Sequence, residues 1–290
     1  MDPATIFCPN LMCPARGQTG QGNIRIHSCK DQRFLCTECH KTFSATKGTA
    51  LYRLRTPAET VSLVVTLMAH GCPLQAIVVA FGYDERTVAC WLARAGGQGQ
   101  AVQEHLVEHP RDLGQVQADE IRVKKQGDIV WMALAMMVRT RLWLAGEVSE
   151  RRDMMLMRSL MARVRRGALP RPQGDGVINT ASIERRNATF RERLASLTCR
   201  GRALARRTVT LQYGRYLIGT VYNFCTPHAS LRTVGAPTPA MAAGITDHCW
   251  SVRALLSYHV PPPRWTPPKQ RGRPSQVRKH LIERWCGDHG

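Results

Sequence analysis

Acidic side chains that could bind a metal stand in a chain that is otherwise rich in arginine. Asp119 and Glu120 lie together in a stretch with strand periodicity, and Glu184 follows in a stretch with helical periodicity. Carboxylates hold Mg²⁺ or Mn²⁺, and cations bind the phosphates of nucleic acid. This combination predicts metal-dependent chemistry on nucleic acid, with Asp119 and Glu184 as carboxylates that could bind magnesium. Glu120 is expected to point away from Asp119, because successive strand residues face opposite ways.

Glu184 shares one predicted helix face with two residues that suit DNA. Asn187 and Arg191 follow it at i+3 and i+7, so the three side chains lie on the same side of the helix. A carboxylate, an amide and a guanidinium on one face suit a metal and a DNA backbone together. Solvated helices also carry such faces, which is the plain alternative.

The charge of the chain predicts a polyanionic partner. The 290 residues include 41 Lys and Arg against 21 Asp and Glu, a net charge of +20. Residues 151–210 hold 15 arginines and four acidic residues, and arginine makes forked contacts to phosphate. A solvated basic face is the alternative. We expect double-stranded DNA as the partner, with Arg202, Arg206, Arg207 and Arg215 available to its phosphates.

The apolar segments predict a cytoplasmic protein. No apolar run reaches the roughly 18 residues of a membrane span, and no apolar stretch follows a basic start as in a signal peptide. The 11 cysteines are odd in number and crowd towards one end. This favours a reducing compartment and a metal site over a set of disulfides.

Residues 1–50 have the spacing of a zinc ribbon. Cys8 and Cys13 form one close pair, and Cys36 and Cys39 form a second pair after a turn-rich stretch. Four thiolates give zinc a closed tetrahedral shell, so the predicted role of the metal is structural. His27 and Cys29 lie between the pairs and could replace a ligand. A surface imidazole and a free thiol are the alternative interpretations.

Residues 51–95 have the pattern of a helix-turn-helix domain. The first helix is predicted to begin at Pro57, the second to end at Gly82, and Asp84 to cap a third. Arg86 and Thr87, near the start of the third helix, would then face base edges in the major groove. An ordinary helical bundle is the alternative. The glycines that follow predict a flexible linker over residues 96–112.

Residues 113–234 predict a truncated ribonuclease-H-like domain of the α/β class. Three strands and a helix, predicted between residues 113 and 166, are the opening order of that fold. A fourth strand with its own acid should follow, but residues 167–176 are too rich in Pro and Gly for a central strand. Asp175 in that stretch is not assigned to the site. The exposed sheet edge predicts a homo-oligomer.

The ordered motifs of residues 1–235 resemble the transposases of the insertion-sequence-one type and their relatives. The motifs that carry the resemblance are the cysteine pairs with Arg33-Phe34, the helix-turn-helix, the strand Gln117-Ala118-Asp119-Glu120, Ile183-Glu184-x2-Asn187-x3-Arg191, and Tyr222-Asn223-Phe224-Cys225-x2-His228.

This resemblance implies a DDE transposase that binds the terminal inverted repeats of its element and joins the cut ends to target DNA. Such enzymes use two Mg²⁺ ions, for which Mn²⁺ can substitute. Asp119 matches the first catalytic acid and Glu184 the last, while the middle acid of the family has no counterpart here. We therefore expect an internally deleted copy with impaired catalysis. The alternative is a non-enzymatic repressor, or a competitor that occupies DNA ends.

The last segment, residues 235–290, predicts a basic tail without stable structure. It is rich in proline and contains Arg271-Gly272-Arg273-Pro274, a run that resembles a minor-groove AT-hook core. The composition favours a disordered basic tail over an AT-hook.

Overall fold

A small antiparallel sheet forms near the beginning of the chain. The computed structural model describes residues 2–125, 128–167, 181–193, 208–231, 236–269 and 272–286, and the side chains of residues 125 and 181–186 lie outside this description. Strands β1 (Ile24–Ser28), β2 (Arg33–Cys36) and β3 (Thr42–Ser44) pair in chain order. Phe34 and Phe43 lie opposite each other across β2 and β3, with ring centroids 5.9 Å apart.

The end of the chain belongs to the same folded unit as this sheet. Residues Met1–Arg53 and His259–Gly290 form one compact unit, and Leu54–Tyr258 form the other. The last helix of the first unit, Gln276–Cys286, places Leu281 and Trp285 against the aromatic and cysteine side chains of the small sheet.

The prediction of a disordered tail is therefore wrong for the described part of residues 235–290. Three helices form there: Pro239–Ala242, Val252–Ser257 and Gln276–Cys286. Leu281 and Trp285 are four residues apart, so both face the core of the first unit. The burial of Leu281 and Trp285 stabilises a folded helix in a segment whose basic, proline-rich composition is typical of disorder. Arg271 of the AT-hook-like run lies outside the described residues.

Three helices open the second unit. Helices α1 (Ala58–Ala69), α2 (Leu74–Phe81) and α3 (Glu85–Leu106) follow each other closely and pack together. Left-handed glycines end the first two, with φ of 89° at Gly71 and 69° at Gly82, where a side chain would be strained. Asp84 caps α3 by accepting a hydrogen bond of 2.8 Å from the Arg86 amide. The order and spacing of these helices agree with the sequence pattern.

The predicted linker of residues 96–112 is also wrong, because α3 continues to Leu106. Its glycines allow a close approach of helix α6 (Thr208–Thr220). A Cβ atom at Gly96 would lie 2.5 Å from the Cα of Tyr213, and one at Gly99 would lie 2.8 Å from Oγ1 of Thr220. Glycines that looked like flexible spacers are packing positions inside a helix.

A second antiparallel sheet follows, and the chain as described mixes helix and sheet. Strands β4 (Val116–Lys125), β5 (Asp128–Met137) and β6 (Trp143–Ser149) pair in chain order, with Asp119 opposite Leu134. Helix α4 (Met154–Arg166) packs on β5 and β6, and α5 (Ala181–Arg193) packs on β4. Helix α6 runs into a π-helical turn, Val221–Cys225. The short helices near the end are α7 (Pro239–Ala242), α8 (Val252–Ser257) and α9 (Gln276–Cys286).

Within the described ranges the second sheet has three strands, with β4 at one edge. Residues 168–180, where the sequence lacks a fourth strand, lie outside the description, as does Asp175. No helix that the structure describes is long and apolar enough to cross a membrane.

Candidate functional site

Four cysteine sulfurs converge in the first unit. The Sγ atoms of Cys8, Cys13, Cys36 and Cys39 all lie within 4.8 Å of one another. Cys8 and Cys39 are 3.7 Å apart, and Cys13 and Cys36 are 3.8 Å apart. Tetrahedral zinc with Zn–S bonds of about 2.3 Å places its sulfur ligands roughly 3.8 Å apart. The cluster therefore has the size and donor set for a metal such as zinc.

Hydrogen bonds to the Cys36 sulfur stabilise its thiolate form. The contact between Cys13 and Cys36 lowers the pKa of Cys36 and raises that of Cys13. Backbone amides of Glu38 and Cys39 act on Cys36 in the same direction. Asn23 also donates from Nδ2 to the Cys36 sulfur, at 3.7 Å. Ionising all four thiols at this spacing requires a cation between them, which a divalent metal would supply.

The two alternative ligands lie outside this cluster. Cys29 and His27 are exposed, and neither is among the four converging residues. Among the residues whose side chains are described, the four cysteines are the one group of three or more potential metal ligands. The structure thus brings together the cysteines that the spacing predicted.

Asp119 lies where strand β4 meets helix α5. Gln117 and Ile121 flank it on the buried side of the strand. Asn187 of α5 donates from Nδ2 to Oδ2 of Asp119 at 2.5 Å, and only 3% of Asn187 is exposed. Its other amide atom, Oδ1, is buried and finds no hydrogen-bond partner in the described part of the chain.

Phe190 anchors this helix one turn beyond Asn187. It is buried in the core of the second sheet, and its ring centroid lies 6.1 Å from that of Trp143. The aromatic contact fixes α5 over the sheet, so the hydrogen bond to Asp119 connects two packed elements. Because Asn187 and Phe190 are three positions apart, they lie on the same side of α5, and this side faces the sheet.

Glu120 points away from Asp119, as strand alternation predicts. It accepts a hydrogen bond of 2.6 Å from Nε of Arg152, a pair that is also an ion pair. The Arg152 guanidinium in turn lies over the Trp131 ring, 4.9 Å from its centroid. Glu120 is thus engaged in a surface ion pair.

The remaining predicted residues of the acidic site are placed less fully. Glu184 belongs to α5, three residues before Asn187, and its side chain lies outside the described part. Arg191 is exposed in the last turn of the same helix. Arg202, Arg206 and Arg207 lie outside the described residues. Among the residues whose side chains are described, Asp119 belongs to no cluster of three potential metal ligands.

The start of α3 presents the two residues predicted to contact bases. Arg86 is exposed and Thr87 is half-buried, in the first turn after the Asp84 cap. Val88 and Trp91 of the same helix are buried, and Trp91 packs edge-on against Tyr83 with centroids 4.9 Å apart. One side of α3 is therefore fixed by packing, while Arg86 projects into solvent.

Two buried amide side chains hold β6 in place: Asn223, which belongs to a motif quoted above, and Gln103, which the sequence did not single out. Asn223 accepts a hydrogen bond of 2.9 Å from the Trp143 amide and donates one of 2.9 Å to the Trp143 carbonyl. Gln103 of α3 donates to the carbonyls of Trp143 and Leu144 at 3.1 and 2.9 Å. The polar residue in the Tyr222-Asn223-Phe224 motif is therefore structural. The sequence signal for this role was an amide residue, Asn223, placed between the aromatic residues Tyr222 and Phe224.

Two arginines, Arg163 of α4 and Arg215 of α6, make their contacts inside the second unit. Arg163 of α4 lies 2.8 Å from Glu147 of β6 and also hydrogen-bonds Tyr216. Arg215 is only 2% exposed, and its guanidinium stacks on the Tyr216 ring at 4.5 Å. The expectation that Arg215 is available to phosphate is wrong, because α6 buries it against the sheet.

Comparisons with protein families, with curated proteins and with solved structures give no match for this chain.

Proposed function

We propose that this chain is a DNA-binding protein of the insertion-sequence-one transposase type, which recognises the terminal inverted repeats of its element. The order of its parts supports the proposal: a four-cysteine cluster, three helices, an antiparallel sheet of three strands and then helices. The proposal assigns end recognition to α3. It assigns strand chemistry to the junction of β4 and α5.

One observation carries the assignment of that junction. The hydrogen bond from Asn187 to Asp119 joins the strand of the first predicted acid to the helix of the last one. A ribonuclease-H-like site needs this approach, because its carboxylates come from distant parts of the sequence. Position 184 lies one helical turn before Asn187. The sequence motifs and the packing of α5 thus favour the same site.

DNA recognition through α3 is supported by its exposed start. In a helix-turn-helix domain, the residues at the start of the last helix contact base edges. Arg86 has the donors for a forked contact to guanine, and Thr87 can contact a base or a phosphate. The net charge of +20 favours association with DNA of any sequence, to which these two side chains would add discrimination.

The strand chemistry of this type of transposase requires Mg²⁺ or Mn²⁺. The described residues contribute one carboxylate at the junction, Asp119, and an amide already bonded to it. A working site would need Glu184 and a further acid beside Asp119.

A second candidate function is regulation without cleavage. Both oxygens of Asp119 already accept hydrogen bonds, Oδ2 from Asn187 at 2.5 Å and Oδ1 from the Glu120 amide at 2.8 Å, and a metal would have to compete with these donors. In the described ranges, the sheet also ends at β4, where the fold would place the strand of the middle acid. A chain that binds DNA ends and cannot cut them would act as a repressor, or as a competitor of an active transposase.

An assay on labelled DNA ends separates the two candidates. Inverted repeats in the DNA that flanks the gene provide the duplex, and complex and cleavage are scored in the same gel with Mg²⁺ or Mn²⁺. Metal-dependent cleavage that Asp119→Asn and Glu184→Gln both abolish would establish the transposase. The exposed acid of α5 supplies the control, Glu192→Gln, which should cut as the parent does. A specific complex without cleavage would establish the regulator.

A further inference from the structure

The C-terminal helix enters the core that surrounds the four cysteines. Trp285 of α9 is only 2% exposed and packs in one cluster with Cys8, Cys13 and Cys36. Leu281, one turn earlier, lies against the same cluster. A tryptophan is the largest side chain available, so its burial contributes substantially to a core this small. The helix is therefore part of the packing around the metal ligands.

A charged contact joins the same helix to the turn between two metal ligands. Arg284 lies 3.2 Å from Glu38, which stands between Cys36 and Cys39. Glu38 lies two residues after Cys36 and one before Cys39, so its side chain connects α9 to the short turn that carries both ligands. Residue 38 thus couples the metal shell to the helix.

Further contacts attach the segment before α9. Arg16 donates from Nε to the Pro263 carbonyl at 2.7 Å and from Nη2 to the Arg264 carbonyl at 3.0 Å. Gln18 donates to the Trp285 carbonyl at 3.0 Å. A Cβ atom at Gly17, whose φ is 71°, would lie 2.6 Å from the Pro262 carbonyl oxygen. The loop that follows the first cysteine pair is therefore the docking surface.

We propose that the metal held by Cys8, Cys13, Cys36 and Cys39 fastens the C-terminal segment, so that loss of the metal releases α9. Small metal domains of this kind lose their fold without the ion, because the free energy of metal binding supplies much of their folding free energy. The turn with Glu38 and the loop with Arg16 would then lose their shape. An isolated helix of 11 residues is marginal in water, so α9 would unfold once undocked.

Release would set free a basic arm at the end of the chain. The cations between Trp265 and Cys286 are Lys269, Arg271, Arg273, Arg278, Lys279 and Arg284, against one acid, Glu283. Metal occupancy would thereby decide whether this arm is folded onto the first unit or available to a polyanion. The inference rests on contacts within one unit and is independent of the proposed function.

Hydrogen exchange on the full-length chain tests the release. Zinc-loaded protein is compared with protein stripped by a chelator under reducing conditions, with metal content checked by elemental analysis, and with stripped protein reloaded with Zn²⁺. Amides of residues 276–286 should exchange about tenfold faster or more after stripping and recover on reloading. Residues 85–106 of α3 serve as the internal control and should not change. Unchanged protection of residues 276–286 in fully stripped protein would overturn the proposal.

The converse effect, of the helix on the metal, is tested by the rate of zinc transfer to a coloured chelator. Trp285→Ala should speed transfer about tenfold or more, as losses of supporting contacts around metal ligands do. Arg284→Gln leaves the core intact and should speed it roughly two- to fivefold, the range for a partly exposed ion pair. Lys279→Gln, a charge change elsewhere on α9, should match the parent. Transfer at the parent rate in Arg284→Gln would count against the coupling, even if Trp285→Ala fails to fold.

Discussion

Asn187 and Asp119 are 68 positions apart in the chain, and their side chains are joined by a hydrogen bond of 2.5 Å. The bond lies at the junction of β4 and α5, where the amide is almost fully buried. A bond to an ionised carboxylate is stronger than one between neutral groups. This contact therefore fixes the distance between the two elements on which the proposed active site depends.

Replacing Asn187 tests the contribution of that bond to stability. Asn187→Ala removes the donor and leaves the Asp119 carboxylate without its partner at a partly buried position. We expect the free energy of unfolding to fall by about 1–3 kcal/mol, measured by urea denaturation. Ala188→Ser, at the exposed neighbouring position, should change it by less than about 0.5 kcal/mol. Equal stability of Asn187→Ala and the parent would mean that α5 is held by Phe190 alone.

Adjacent glycines in α3 should respond in opposite ways to the same substitution. Gly96→Ala places a methyl group 2.5 Å from the backbone of Tyr213, and overpacking of this kind costs about 1–3 kcal/mol. Gly97 has no atom within 4 Å of its would-be Cβ among the described residues. Gly97→Ala should therefore stabilise by about 0.5–1 kcal/mol through helix propensity. Thermal unfolding of both variants checks the contrast, and equal stabilisation would contradict the packing of α6 on α3.

Cysteine substitutions test the metal cluster directly. Cys36→Ser removes a ligand that three other cysteines and two backbone amides surround, so bound zinc should fall from about one per chain to near zero. Cys29→Ser changes an exposed thiol outside the cluster and should retain the metal. Elemental analysis of the two purified variants gives the answer. Retention of zinc by Cys36→Ser would exclude it as a ligand.

The buried carboxyl of Glu108 predicts a pH dependence of stability. Burial raises the pKa of Glu108, although Arg163 and Arg166 lie 3.8 and 3.4 Å away. The folded chain thus holds this proton more tightly than the unfolded chain does. The resulting stabilisation is complete below the unfolded pKa, near 4.5, and is lost as pH rises through the folded value.

Glu108→Gln removes this titration. The variant should therefore gain free energy of unfolding relative to the parent as pH rises above about 4.5. Urea denaturation at several pH values measures the difference, and Glu85→Gln, an exposed acid of α3, is the control for loss of a charge. A difference between Glu108→Gln and the parent that is constant with pH would contradict the raised pKa.

The sequence predicted elements well wherever local pattern and packing agree. The three strands of the second sheet and α4 form between residues 113 and 166, where the pattern predicts three strands and a helix, because alternating and helical periodicities are local properties. The four cysteines were predictable because ligand spacing is itself a sequence property. Asp84 was predictable as a helix cap because capping depends on the residue type directly before the helix, which is also a local property.

The errors arose where tertiary contacts decide. The glycine-rich pattern around Gly96 and Gly99 predicts a linker. The residues that pack against these glycines belong to α6, more than a hundred positions later in the chain, so the local sequence does not show the contact. Trp285 was missed as a core residue because its partners lie at the opposite end of the chain. The stacking of Arg215 on Tyr216 and its burial against the sheet could not be predicted either, because the sequence does not distinguish this arginine from the many exposed ones.

Sequence-specific DNA recognition can be measured by selecting binding sites from a random duplex library with the full-length chain. We expect the parent to converge on one motif, and Arg86→Ala to weaken binding to it with a loss of about 1–3 kcal/mol in discrimination. Arg158→Ala, an exposed arginine of α4, should retain the motif. A library that never converges, with binding that depends only on salt, would contradict recognition by α3.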